Sequence, residues 1–65
     1  MLIKNLSLAE EYLRESGSGL NKAYELLKEF NETKATAKAI KETSEDVILS
    51  ANVLKTFLDS FGNKN

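Results

Sequence analysis

Three glutamates lie close together near the start of the chain: Glu10, Glu11 and Glu15. A pair of carboxylates can perform general acid–base chemistry when one holds a proton and the other does not. Glu10, however, has Arg14 four residues further on, which is the spacing of an ordinary ion pair on a helix. The sequence has no His and no Cys to complete a catalytic or metal site. We therefore expect a non-enzymatic protein with no catalytic residue, no cofactor and no metal ion.

Lys34, Lys38 and Lys41 follow one another at spacings of four and three, so a helix would place them on one face. Such a row could contact the phosphates of RNA or DNA. Glu32 and Glu42 lie beside it, and lysine gives a single point charge rather than a fork of donors. The pattern favours a solvent-exposed charged face, with nucleic-acid binding by a helical dimer as the alternative.

The charges of the whole chain nearly cancel, with nine basic and ten acidic residues giving a net charge of −1. In its net charge, the chain therefore lacks the excess of positive charge that nucleic-acid-binding proteins usually carry. No apolar run reaches the roughly 18–20 residues that a membrane span requires, and the apolar start of the chain is too short for a signal peptide. We expect a cytoplasmic protein without a membrane partner.

The first helix is predicted over residues 8–16. Ser7 and Glu10 fit a capping box, in which the serine oxygen accepts from a free backbone N–H at the helix start. The segment Ser16-Gly17-Ser18-Gly19 predicts the end of this helix, because glycines permit the backbone conformations of a turn.

From residue 23 onward, apolar and small residues recur at alternating spacings of three and four. Such a register is typical of coiled-coil packing. Its members are Ala23, Leu26, Phe30, Thr33, Ala37, Ile40, Ser44, Val47, Ala51, Leu54, Leu58 and Phe61.

Two interpretations of this long segment compete. The absence of Pro and of Gly between residues 20 and 61 favours one helix from about 19 to 61. Charge favours a break near Thr43-Ser44, because Lys41 would then lie in a last turn and Glu45 in a first turn, where each complements the helix dipole. Ser44 could also serve as the N-cap of the helix that follows the break. We expect the break. It gives helices over 19–42 and 44–61 that fold back antiparallel, with a frayed tail over 62–65.

The fold class expected is therefore all-α, with three helices in a single domain of residues 1–65, coiled-coil-like packing and an oligomeric state. The C-terminal helix is apolar over more than half of its circumference, which a chain of this size can scarcely cover. We expect the chain to associate with itself and with another protein, as a regulatory, inhibitory or scaffolding module. A structural subunit of a larger assembly is a further alternative. The expected interface residues are Ile48, Val53, Leu54, Phe57, Leu58 and Phe61.

Overall fold

Two long helices make up almost the whole chain in the computed structural model, which describes residues 2–62. Helix α1 spans Leu2–Leu27 and helix α2 spans Lys34–Gly62, with a short 3₁₀ turn at Asn31–Thr33 between them. The two helices pack against each other along a body of 54 × 14 × 12 Å. The all-α class is confirmed, but the chain forms two helices rather than three.

The predicted end of the first helix at residues 16–19 is wrong, and so are the predicted helices 8–16 and 19–42. Helix α1 begins at Leu2 and continues through both glycines, neither of which has a positive φ. Gly17 is buried against α2. Because the missing side chain lets the second helix approach, this glycine acts as a contact point and does not end the helix.

The predicted break near Thr43-Ser44, with a separate helix over 44–61, is also wrong. The Thr43 hydroxyl donates to the Ala39 carbonyl within the same helix at 3.0 Å, a bond compatible with a helix interior. The Ser44 hydroxyl donates to the carbonyl of Gly17 in α1 at 2.8 Å. The hydroxyl that the sequence suggests as a cap therefore joins the two helices. Gly62 is the last residue of α2, and the rest of the predicted frayed tail lies outside the described residues.

The chain reverses direction between Leu27 and Thr33, without any glycine or proline. The Leu27 carbonyl accepts from the Phe30 backbone N–H at 3.3 Å and from the Thr33 hydroxyl at 2.9 Å. Thr33 in turn donates its backbone N–H to the Phe30 carbonyl at 3.2 Å. These bonds satisfy carbonyls at the end of α1 that no further helical turn would reach. The contact of Gly17 with Ser44 and that of Arg14 with Asn52 show that the helices run antiparallel.

The heptad register is confirmed along α2, where every member from Thr33 to Phe61 is buried or half-buried. It is wrong in the first half of the chain, because Leu26 is 74% exposed and Phe30 is 57% exposed. The corresponding stripe of α1, all of it buried or half-buried, is Leu6, Glu10, Leu13, Gly17, Leu20, Tyr24 and Leu27. The helices thus pack by heptad-spaced stripes, with a different α1 register from the one that the sequence predicts.

The contact between the helices is built from small residues. Ala37, Ser44 and Ala51 are the residues of α2 most completely removed from solvent, at 1%, 6% and 0% exposure. Among the described residues, no large side chain is fully buried. Small side chains allow a close approach of the helices but remove little apolar area from water, so the described part of the chain has only a thin core.

Candidate functional site

Of the three glutamates that could carry acid–base chemistry, Glu10 lies half-buried in the stripe of α1 that faces α2. The predicted pair of Glu10 and Arg14 is confirmed, with Arg14 Nε donating to Glu10 Oε2 at 2.8 Å. Arg14 also donates from Nη2 to Asn52 Oδ1 of α2 at 3.1 Å. Glu11 and Glu15 are exposed. No group of three acidic residues within positions 2–62 is arranged to hold a metal ion.

On either side of the packed stripes, the helices present two flanks of very different composition. In an antiparallel pair, corresponding flanks of the two helices lie on the same side. The lining of surface grooves confirms this, since Arg14 and Ser18 of α1 share one groove with Glu45 and Ile48 of α2. At the other flank, Leu2 of α1 lies beside Phe57 of α2.

We call the first side the charged flank. From α1 it comprises Lys4, Ser7, Glu11, Arg14, Ser18, Asn21 and Glu25. From α2 it comprises Lys34, Lys38, Lys41, Glu45, Ile48, Asn52, Lys55 and Asp59. Ten of these 15 positions carry a charge.

We call the opposite side the uncharged flank. From α1 it comprises Leu2, Asn5, Ala9, Tyr12, Ser16, Gly19, Ala23 and Leu26. From α2 it comprises Thr36, Ala39, Thr43, Asp46, Ser50, Val53, Phe57 and Ser60. Asp46 is the one charged residue among these 16 positions. Charged residues are depleted at the centres of protein–protein interfaces, so this flank has the composition of a surface that is covered by another protein.

Large apolar side chains concentrate at the end of the uncharged flank that is remote from the turn. Val53 and Phe57 are 55% and 50% exposed, and Tyr12 on α1 is 64% exposed. Beside them, Leu2, Leu6, Phe57 and Phe61 line a small apolar pocket of about 220 Å³. Leu49 is 62% exposed as well, but it lines the groove with Arg14 and Glu45 on the charged flank and does not extend this apolar row.

The six residues predicted for the interface divide into two groups. Leu54, Leu58 and Phe61 belong to the half-buried stripe of α2 that faces α1. Ile48 also lies between the helices, since a Cβ atom built on Gly17 would be 2.6 Å from Ile48 Cδ1. Val53 and Phe57 point outward, and they are the two predicted interface residues that belong to the uncharged flank.

The three predicted lysines come together in one groove on the charged flank, next to the turn. This groove has a volume of about 560 Å³ and is lined by Tyr24, Lys28, Asn31, Lys34, Ala35, Ala37, Lys38 and Lys41. The Nζ atoms of Lys41 and Lys28 lie 4.7 and 5.6 Å from the centroid of the Tyr24 ring, at the distances of cation–π contacts. Lys28 also pairs with Glu25 at 2.8 Å. The charge of Glu25 and its hydrogen bond raise the pKa of Lys28 above its ordinary value.

Sequence reasoning missed Tyr24 and Asn31 as neighbours of the lysine row. Tyr24 and Lys28 lie at the end of α1 and the lysines at the start of α2, so only the position of the turn brings them together. The interval of seven residues from Glu10 to Gly17 and again to Tyr24 indicates that Tyr24 lies on the packed face of α1, but it does not indicate that Tyr24 lies near the lysines.

Comparison of the chain with protein-family models, curated proteins and solved structures finds no match in any of the three. Over residues 2–62, neither helix has the length and apolarity needed to cross a membrane. The two flanks and the lysine groove are therefore interpreted from their own chemistry.

Proposed function

We propose that this chain is a non-enzymatic protein–protein interaction module that pairs with a second copy of itself through the uncharged flank. The observation that supports the proposal is a contrast in composition. One of 16 positions is charged on the uncharged flank, against ten of 15 on the charged flank. Two helices from each copy would form a four-helix assembly, in which the thin core of one hairpin is completed by the other.

The accessible area of the hairpin is consistent with such pairing. The chain exposes 5039 Å². A compact monomer of 7.2 kDa exposes about 4,100 Å² by the usual scaling with mass. The excess of about 900 Å² arises from the long, narrow body of the hairpin. It leaves room for a contact of the roughly 800 Å² that each partner buries in a stable protein–protein interface.

A second copy fits this flank because a two-fold contact places the same surface on both sides. Each copy brings a single charge, Asp46, to this contact, whereas two charged flanks would have to lose the hydration of many ions. The middle of the flank carries small residues, Ala9, Ser16, Ala39 and Ser50 among them, which permit helices to approach closely. The larger Val53 and Phe57 would then lie against apolar residues of the other copy.

The test is the oligomeric state, measured by sedimentation equilibrium at micromolar concentrations. We expect a closed dimer for the unaltered chain. Phe57→Lys should produce a monomer. Half of the Phe57 side chain is exposed in one hairpin, and a symmetric dimer would bury this exposed half in both copies. At about 25 cal/mol per Å² and about 100 Å² per copy, the loss is about 5 kcal/mol of dimer.

Thr56→Lys is the matched control, since it adds the same charge one residue away at an exposed position outside both flanks. This variant should remain dimeric. A monomeric unaltered chain, or a dimer that Phe57→Lys leaves intact, would contradict the proposal. Assembly into large particles, detected by light scattering, would favour a structural subunit over a closed pair.

A further inference from the structure

The lysine groove concentrates positive charge in a chain that is otherwise acidic. Four of the nine basic residues, Lys28, Lys34, Lys38 and Lys41, line this one groove. No carboxylate lines it, and the rest of the chain carries five basic residues against ten acidic ones. The near-neutral total charge therefore conceals a groove beside the turn that four lysines and no carboxylate line.

Three of these lysines lack a compensating charge. No carboxylate among residues 2–62 lies within 4.0 Å of the Nζ atoms of Lys34, Lys38 or Lys41, whereas Lys28 has Glu25. Like charges at spacings of three and four destabilise a helix by about 0.2–0.5 kcal/mol per pair.

The position of the lysines on α2 adds to this cost. Lys34 and Lys38 occupy the first two turns of the helix, and its first turn contains no acidic residue. Cations are unfavourable there, because the dipole already makes a helix N-terminus positive. A bound anion would remove both repulsions at once.

We propose that the groove binds a compact oligophosphate, free or as the polyphosphate part of a nucleotide. A volume of about 560 Å³ lies within the range of small-molecule sites, and four amines can contact several phosphate oxygens together. Because Lys41 lies over the Tyr24 ring, a base would have to displace this ammonium to stack on that face of the ring. The groove should therefore recognise phosphates and be indifferent to the base attached to them. The charged flank lies opposite the surface proposed for pairing, so the two proposals are independent.

The experiment is calorimetric titration of the full chain with tripolyphosphate, ATP and GTP at low and at physiological salt. We expect binding of the three ligands with affinities within about threefold of one another, weaker at the higher salt because phosphate contacts are screened. The double variant Lys34→Gln/Lys38→Gln should weaken binding at least tenfold, since each charge-assisted hydrogen bond lost changes the affinity by about that factor.

Lys55→Gln is the control, because Lys55 is an exposed lysine of α2 outside the groove, and the ion pair that it forms within residues 2–62, with Asp59 at 3.7 Å, is exposed too. Its affinity should stay within twofold of the unaltered chain. Thermal unfolding without ligand checks that the double variant folds. Its unfolding temperature should equal or exceed that of the unaltered chain, because repulsion is relieved.

Three results would overturn the proposal. The first is the absence of binding below millimolar concentration. The second is an equal response to sodium sulfate at matched ionic strength, which would indicate bulk screening. The third is tight binding of a 20-nucleotide RNA with the same lysine dependence while tripolyphosphate does not bind, which would reassign the groove to nucleic acid.

Discussion

The close approach of the helices at Gly17 can be tested against a second glycine in the same helix. A Cβ atom at Gly17 would lie 2.6 Å from Cδ1 and 2.9 Å from Cγ1 of Ile48, both too short for carbon atoms that are not bonded. A Cβ atom at Gly19 would have nothing within 4 Å. Both residues lie inside α1 with negative φ, so their replacement by alanine differs only in what the new methyl group meets.

The magnitude follows from two opposing contributions. Alanine in place of glycine within a helix stabilises it by about 0.8–1 kcal/mol, and we expect Gly19→Ala to show this gain in full. At Gly17 the same gain is opposed by the repacking of Ile48, for which overfilled contacts cost about 1–3 kcal/mol. Gly17→Ala should therefore be less stable than Gly19→Ala by about 1–3 kcal/mol. In a domain of this size, each kcal/mol corresponds to about 4–8 °C of melting temperature.

The assay is thermal and urea unfolding followed by circular dichroism at one fixed protein concentration. The decisive background is Ile48→Ala, which removes both of the atoms that the new methyl group would meet. In that background, Gly17→Ala should become stabilising by nearly the full helix-propensity gain. If Gly17→Ala and Gly19→Ala stabilised the unaltered chain equally, the helices would not approach each other at Gly17 as described.

Two further predictions concern hydroxyl groups that join separate parts of the chain. Ser44→Ala should lower the free energy of unfolding by about 0.5–1.5 kcal/mol, because the buried hydroxyl donates to the Gly17 carbonyl of the other helix; an unchanged urea midpoint would disprove that role. Thr33→Val should cost about 1 kcal/mol in the same assay, because the Leu27 carbonyl at the end of α1 loses its hydroxyl donor. Thr43→Val is the control for Thr33→Val and should change the free energy of unfolding by less than about 0.5 kcal/mol, since this exposed hydroxyl bonds only within its own helix. Equal losses of unfolding free energy in the two variants would contradict the stabilising role of Thr33 in the turn.

The sequence was sufficient to predict the helical class and the packed face of α2. Both follow from the heptad spacing of apolar and small residues, and the residues of this register from Thr33 to Phe61 are buried or half-buried in the structure. The turn could not be predicted in the same way, because neither glycine nor proline marks it. Its bonds depend on Thr33, a common residue whose hydroxyl reaches a carbonyl six residues back.

The glycines near residue 17 misled the prediction for a physical reason. Glycine has a low helix propensity, so local propensity predicts that the helix ends near Gly17. In the structure the helix continues, and the close approach of Ile48 makes a side chain at this position unfavourable. Ser44 misled it similarly, since an interhelical bond uses the hydroxyl that could have capped a new helix. Of the candidate sites, the lysine row could be read from spacing, but its partner Tyr24 could not, because it lies on the other helix.

The antiparallel arrangement also sets the order in which the chain can fold. The further a contact lies from the turn, the more residues separate its two partners in the sequence. The separation is six residues for Thr33 with Leu27, 27 for Ser44 with Gly17 and 38 for Arg14 with Asn52. Between the first and the last, the entropy cost of closing the loop rises by about 1.6 kcal/mol. Folding should therefore start at the turn, and the contacts between the helices should form in order of increasing distance from it. Amide hydrogen exchange should be fastest at the opposite end, around Leu2 and Phe57, where a pairing partner would slow it most.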